Sequence, residues 1–445
     1  MRGLGMGPER ADSGSRGVER PNILTRGEKS PPHTKGHSAL RLAPQRRRMG
    51  WLSAWSRSTE RLSTDSDPNR RARAILWGTC DTSKPRVRIL RDGLRANGIE
   101  VIECRAEIWE GIKDKSEVRG FRRWAGLLLR MLAAYPRLVS RYMRLPKHDY
   151  VLLGYPAILD IFIIRPFAWL RGANVAMDWF LSAYDTVVLD RGLVQKWHPL
   201  AGALRVTEWV AIRLADYIFM DTQSHARRME QLFGLPVGRC GSVWVGVEDE
   251  VFQADQSRPI DRNARIPLQI LFYGQFIPLH GVPTIIEAAR LLEAAPVEWL
   301  LIGDGQEAEK IRSMLEDWPL PKVRWVQWVD YESLREHILA ADLCLGIFGT
   351  SDKAASVIPN KVFQALAVGK PLITRESMAI NELLNSETPG VQFVPPADGR
   401  ALAEAVTMHL EERGNSELHF SRRECISTSS IGRQLAKLIC APLRP

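Results

Sequence analysis

The sequence predicts an α/β protein made of two doubly wound, Rossmann-like halves that face each other across a cleft. Three observations carry this. Apolar runs of strand length alternate with helical patterns from residue 73 onward. The alternation breaks once, at the polar, proline-bearing stretch "EVFQADQSRPIDRNARIPLQ" (250–269), and then resumes. The chain of 445 residues, 45% hydrophobic and 25% charged, is long enough for two domains and a tail.

The elements follow in order. Residues 1–72 are rich in Arg, Ser, Pro and Gly without a sustained apolar period, and predict a disordered basic extension. They include no apolar stretch suited to a signal peptide or a membrane span. The net charge of +10 sits almost wholly there, because residues 1–73 hold 16 Lys+Arg against 7 Asp+Glu. The remainder is nearly neutral, which argues against a nucleic-acid partner. In residues 73–250, "RAILWGT", "IEVIEC", "YVLLGYP", "ANVAMD", "YIFMD" and "GSVWVGV" read as strands. "PRVRILRDGLRANG" reads as a helix, with Pro85 near its start and Gly98 at its stop. In residues 251–415, "LQILFYG", "VEWLLIG", "VRWVQW", "DLCLGIF", "PLIT" and "VQFVP" repeat the pattern. Residues 416–445 end in a short helix that the sequence assigns to neither half. Six cysteines, scattered and without a CxxC pair, read as core residues of a protein kept reduced, and their spacing offers no zinc site.

Ligands of such sheets bind at the carboxyl ends of the strands. That places Gly78, Gly154, Asp178, Gly274, Gly303 and the segment 350–361 along the cleft. In "ILFYGQFIPLHGVP" a strand ends at Gly274, and a loop through Gln275 and His280 leads to a helix at Gly281. "LLIGDGQEAEK" repeats the arrangement with Gly303 and Gly305. Neither is a GxGxxG fingerprint, and no GxxxxGK[ST] phosphate loop occurs. "SVIPNKVFQALAVGKPLIT" opens a helix with Pro359 and places Lys361 and Gln364 on one side of it. A cation at a helix start is unfavourable for the dipole unless an anion faces it. A diphosphate would meet that need, with Gln364 at a ribose hydroxyl.

As an ordered series, "FYG…LHG", "IGDG", "PNKVFQALAVGKPLIT" and "AINELL" resemble the donor half of the family 4 glycosyltransferases, which have the GT-B fold. "GTCDTSKPRVRILRDGLRANGIEVIEC" and "RLADYIFMDTQSHARRMEQLFGLP" look like its acceptor half, so the resemblance spans roughly residues 73–440. It implies retaining transfer of a sugar from a nucleotide-sugar co-substrate to a carbohydrate or lipid-linked acceptor, with no required metal and no other cofactor. It also implies donor contacts from Gly274, Gln275, His280, Gly281, Gly303, Gly305, Gln364, the backbone at Gln327 and Trp328, and the amides at Met378, Ala379 and Ile380. Lys361 and Asp178 are the expected catalytic pair, Asp178 orienting or deprotonating the acceptor. Gly78, Thr79, Gly154 and Asp185 fall on the acceptor side. The chain departs from the family pattern. Ser356 and Gln364 stand where two Glu are usual, and Gln275 and His280 stand where Arg and Lys are frequent. Lys361 and a protonated His280 are the expected substitutes for the missing loop cations. Two alternatives remain at this level: a GT-B protein that binds a nucleotide sugar without turnover, and an epimerase of the same architecture.

The segment 119–145 is a basic amphipathic pattern. Arg119, Arg123, Arg130, Arg137, Arg141 and Arg144 recur on one side, and Trp124, Leu128, Met131, Tyr135, Leu138 and Tyr142 on another. No acidic residue lies between Glu117 and Asp149. Such a helix suits an anionic membrane surface. The expected place is the cytoplasm, with a peripheral position on the inner face of a membrane.

Overall fold

The computed structural model describes residues 71–109, 121–252, 267–412 and 423–441. The basic extension up to residue 70 and most of the 250–269 linker lie outside these, as do the side chains of Arg119, Arg123 and Trp124.

Two six-stranded, all-parallel sheets form the frame. The first comprises β1 (Arg73–Gly78), β2 (Glu100–Arg105), β3 (Tyr150–Leu153), β4 (Asn174–Asp178), β5 (Tyr217–Met220) and β6 (Cys240–Ser242), in the order β2-β1-β3-β4-β5-β6. The second comprises β7 (Leu268–Tyr273), β8 (Val297–Ile302), β9 (Val323–Val326), β10 (Leu343–Leu345), β11 (Leu372–Arg375) and β12 (Val391–Val394), in the order β12-β11-β10-β7-β8-β9. Each order reverses once, between β1 and β3 and between β7 and β10. Loops leaving the strand ends diverge there and open a crevice. The strands read as unbroken apolar runs because helices cover both faces, as at Ala74, Ile75, Leu76 and Trp77, all fully buried.

The helices of the first half are α1 (Pro85–Ala96), α2 (Phe121–Met143), α3 (Asp160–Leu170), α4 (Pro199–Leu214) and α5 (Gln223–Phe233), with a π-helical turn at Asp185–Asp190. Right-handed crossovers send α1 to one face and α2, α3 and α4 to the other, because the chain steps in opposite directions from β1 and from β2. The second half carries α6 (Val282–Leu291), α7 (Ala308–Asp317), α8 (Tyr331–Ala340), α9 (Asp352–Ser356), α10 (Asn360–Val368) and α11 (Gly399–Glu411).

The last helix, α12 (Thr428–Ile439), returns to the first half and lies against α1. Its Ile431, Leu435 and Ile439 are buried in one cluster with Leu90 and Leu94. The helices cross where both carry glycine: a Cβ on Gly432 would stand 2.0 Å from the Gly93 carbonyl. The chain thus passes between the halves twice, and the passages are bonded to each other. Val247 N donates to Ile426 O (3.0 Å), Thr428 N to Asp249 Oδ2 (2.9 Å) and Thr428 Oγ1 to Val247 O (3.1 Å).

Among the described residues, no helix is long and apolar enough to cross a membrane.

A side chain at position 432 must push α12 off α1. Gly432→Val is expected to cost about 1–3 kcal/mol, lowering the Tm by roughly 2–4 °C per kcal/mol. Gly126→Ala in α2, where a Cβ meets nothing within 4 Å, should leave the Tm unchanged or slightly raised. Calorimetry of the two variants checks both.

Candidate active site

The site is built at the carboxyl end of β7. The strand runs through the buried Phe272 and Tyr273 into Gly274, whose φ of +139° only glycine adopts readily. The space a Cβ would take there is flanked by His280 Cε1 at 3.0 Å and Lys361 Nζ at 3.1 Å. Lys361 comes from the first turn of α10, whose backbone enters through the extended Pro359. Its ammonium lies over the Phe272 ring, 3.8 Å from the centroid, and has no hydrogen-bond partner. Only 5% of the residue is exposed. Burial pushes its pKa well below the usual lysine range. Lys361 Nζ is thus held at a glycine-lined strand end and in the first turn of a helix, with no acidic side chain against it among the described residues.

His280 was expected to offer a second positive charge. Instead, burial first, and then the neighbouring Lys361, push its pKa well below that of an ordinary histidine, so the ring is neutral. Its Nδ1 contacts the Gln275 carbonyl, and a carbonyl only accepts, so Nδ1 carries the proton. Nε2 is left as an acceptor.

The other glycines answer to packing. A Cβ on Gly303 would fall 1.9 Å from the Gly274 carbonyl oxygen, so the ends of β7 and β8 can touch only through glycine. Gly305 lies against Phe276 backbone, Gly281 against that of Phe348 and Gly349, and Gly154 against Cys80 and Val87. Gln364 is buried, accepts from the Tyr273 hydroxyl at 2.9 Å and is also hydrogen-bonded to Tyr331. Ser356 donates to Asp352 O. The Ala379 and Ile380 amides donate to Ala355 O and Ser377 Oγ, in a short 3-10 turn rather than a helix. Met378, Gln327 and Trp328 are exposed beside them and at the end of β9.

On the first half, Gly78 and Thr79 belong to a buried knot around Asp160. Its carboxylate accepts from Thr79 N (2.7 Å), Thr79 Oγ1 (3.0 Å) and the Tyr135 hydroxyl (2.9 Å). Burial pushes the Asp160 carboxyl up to about 7, against those three bonds. Asp178 is 1% exposed and is gripped by Arg86, whose Nε and Nη2 each approach to 2.8 Å. Burial raises its pKa and Arg86 pulls it back. With both oxygens so held, Asp178 ties β4 to α1 and to the Val243 carbonyl, which Arg86 also meets. Asp185, equally buried, accepts from Arg228 (2.6 Å) and faces Lys353 of the other half at 3.8 Å.

Several contacts across the cleft were not predicted, although the sequence placed the segment 350–361 there. Lys353 Nζ donates to Thr186 Oγ1 at 2.5 Å, and Ser351 Oγ to Asp190 Oδ1 at 2.7 Å. Arg191 Nη2 donates to Gln275 Oε1 at 3.2 Å. Glu382 accepts from the Gln223 and Ser224 amides at the start of α5. All join a first-half residue to a second-half one. The signal that could have found them is the cluster of charges at 185–191 facing "TSDK" at 350–353.

The chain is similar in sequence and in fold to known glycosyltransferases. Residues 267–412 match the family model described as glycosyl transferases group 1. A chitobiosyldiphosphodolichol beta-mannosyltransferase of Kluyveromyces lactis is 22% identical over 335 residues, 67% of this chain and 72% of its own. An amylovoran biosynthesis glycosyltransferase of Erwinia amylovora is 26% identical over 183 residues, 40% of this chain and 44% of its own. Among solved structures, HepE of Anabaena in complex with UDP and glucose superposes with a TM-score of 0.57 at 12% identity, over 84% of this chain and 100% of its own. Sucrose-phosphate synthase of Thermosynechococcus elongatus gives 0.57 at 16% identity, over 84% and 95%. The homologues are glycosyltransferases, and the fold of the chain is GT-B.

Proposed function

We propose that the chain transfers a sugar from a nucleotide-sugar donor to an acceptor hydroxyl, with retention at the anomeric carbon and without a metal ion. The observation that carries the reading is the buried amine of Lys361 beside Gly274, with no acidic side chain against it among the described residues. A donor diphosphate supplies an anion there. As the bond from the anomeric carbon to the phosphate oxygen breaks, charge develops on the diphosphate against Lys361, in a site where few waters compete. The neutral His280, with Nε2 as an acceptor, can take a hydrogen bond from a sugar hydroxyl. Asp178 is committed to Arg86 and Asp185 to Arg228. The base nearest the acceptor hydroxyl is therefore the departing phosphate itself. The acceptor proton passes to it while the acceptor oxygen bonds the anomeric carbon on the same face.

We place the acceptor on a lipid at a cytoplasmic membrane surface. From residue 125 to 214 every exposed charged side chain is basic: Arg130, Arg137, Arg141, Arg144, Lys147, Lys196 and Arg205. Exposed with them are Leu128, Leu129 and Leu132 on α2, Leu159 before α3, and Trp197 before α4. Each helix runs antiparallel to the strand it follows, so Leu159 and Trp197 lie toward the cleft end of the half, whereas the exposed Trp169 and Leu170, at the end of α3, lie at the other end. The name of the Kluyveromyces relative, with its diphosphodolichol, accords with a lipid-linked acceptor.

Two outcomes follow. Lys361→Met should raise the Tm of the ligand-free protein, since it removes an uncompensated buried charge, yet abolish the thermal shift from UDP, GDP or ADP. Folding lowers the Lys361 pKa, so the unfolded chain holds the lysine proton more tightly, and the penalty of the buried charge is lost as pH rises from the folded pKa toward the unfolded one. The gain should therefore shrink as pH rises toward about 10, the unfolded lysine value. A wild-type protein that binds a nucleotide sugar and releases no nucleoside diphosphate to any acceptor or to water would be a binder. For the membrane, Arg130, Arg137 and Arg144 replaced together by Ala should weaken sedimentation with phosphatidylglycerol vesicles roughly 100-fold, at about 1 kcal/mol per charge. Equal binding to neutral phosphatidylcholine vesicles would count against the surface.

A further inference from the structure

We infer that Glu248, in the passage between the halves, is a positioning residue for the Lys361 helix and acts on it through Tyr331 and Gln364; this rests on the donor reading above. Lys361 can meet a diphosphate only if α10 keeps a fixed setting against β7. Four side chains joined in series give it that setting.

The series starts at Tyr273, the last residue of β7, whose hydroxyl donates to Gln364 Oε1 at 2.9 Å. Gln364 stands one turn after Lys361 in α10. With its oxygen turned to Tyr273, its amide N–H faces Tyr331, the first residue of α8, and the two side chains are hydrogen-bonded. The Tyr331 hydroxyl in turn donates to Glu248 Oε2 at 2.7 Å. Each hydroxyl has one proton to give, so the direction of every bond is set, and all run toward the Glu248 carboxylate. Burial raises the pKa of both tyrosines, and at Tyr331 the bond to Glu248 raises it further, so both remain donors at neutral pH. Bonds aligned in this way polarise one another.

The far end of the series is anchored. Glu248 lies between Val247 and Asp249, the residues that bond the two passages together. Arg88 of α1 balances its charge, with Nε 2.7 Å from Oε1 and Nη2 2.8 Å from Oε2. Phe252 meets the Tyr331 ring edge-on, with 5.6 Å between centroids. The direction of the series also accounts for the amide at position 364. A carboxylate there could accept from Tyr273 but would have no proton for Tyr331, and it would face Glu248 across a single hydroxyl proton. The arrangement therefore requires the acid at 248 and the amide at 364.

The test is titration calorimetry on the full chain with UDP, GDP and ADP, with the Tm measured for each variant. Tyr331→Phe removes one hydroxyl from the middle of the series, and Glu248→Ala removes its end. Each is expected to weaken the diphosphate that binds about 10-fold. Together they should weaken it no more than either alone, because both breaks interrupt one series. Arg88→Gln loosens the tie to the first half and lowers the Tm, but leaves Tyr331 its acceptor and should bind within about threefold of wild type. Gln364→Glu should lower the Tm by several degrees, and Glu248→Gln added to it should restore most of the loss by returning an amide to one side of Tyr331. Affinity unchanged in Tyr331→Phe and in Glu248→Ala overturns the inference and leaves the donor reading standing. So do losses that multiply in the double variant, or an equal loss in Arg88→Gln, either of which would make these residues ordinary supports of the fold. A Gln364→Glu protein as stable as wild type, or one not restored by Glu248→Gln, overturns the direction of the series and the inference with it. A wild-type protein that binds none of the three diphosphates overturns the donor reading and the positioning role together.

Discussion

The structure is organised around one unfavourable interaction, the burial of the Lys361 ammonium with only an aromatic ring beneath it. A charge in that position costs free energy that the fold must supply from elsewhere. Much of the donor half can be read as the means of holding it there. Proline brings the chain into α10 in an extended conformation, so that Lys361 falls in the first turn. Phe272 gives the ammonium a polarisable face, and Gly274 leaves room beside it. The Tyr273 hydroxyl, bonded to Gln364, locks the helix to the strand. The polar groups nearest the cation are neutral ones, and this preserves its pull on an external anion.

The acceptor half treats its charges in the opposite way. Asp178, Asp185 and Asp160 are all buried, and each is satisfied locally by Arg86, by Arg228, or by Thr79 and Tyr135. The second half therefore holds a buried amine without an acidic partner among the described residues, while the buried acids of the first half are paired, Asp185 in part by Lys353 of the second half. Between them, Lys353, Ser351, Arg191 and Glu382 bridge the cleft. Electrostatic asymmetry of this kind favours an anionic ligand on the second-half side of the cleft.

The fold was legible because its signal is local: apolar runs of strand length, glycines at strand ends and helical spacing between them. All twelve strands among the described residues fall on runs readable in the sequence, though β6 stops at Ser242, with Val243 N still donating to Met220 O of β5 (2.9 Å). The site was legible only in part. Lys361 stood out because a cation at a helix start contradicts a local rule. The glycines were visible but their reasons were not, since whether Gly303 faces a ligand or the Gly274 carbonyl depends on how two loops meet. Asp178 looked available because its partner, Arg86, lies 92 residues away. Arg191 was invisible because its direction depends on a π-turn, a single extra residue per turn that leaves no pattern. His280 was assigned a charge because the sequence does not show burial.

The paired passages between the halves have a mechanical meaning. A single strand joining two bodies acts as a swivel: it lets them turn about its axis as well as bend. Two strands side by side, bonded at Val247, Asp249, Ile426 and Thr428, form a strap with width. A strap bends easily across its thin dimension and resists twist. With α12 clamped against α1 by the glycine crossing, its far end is anchored. The two bonded passages therefore restrain twist between the sheets more than they restrain bending across the strap.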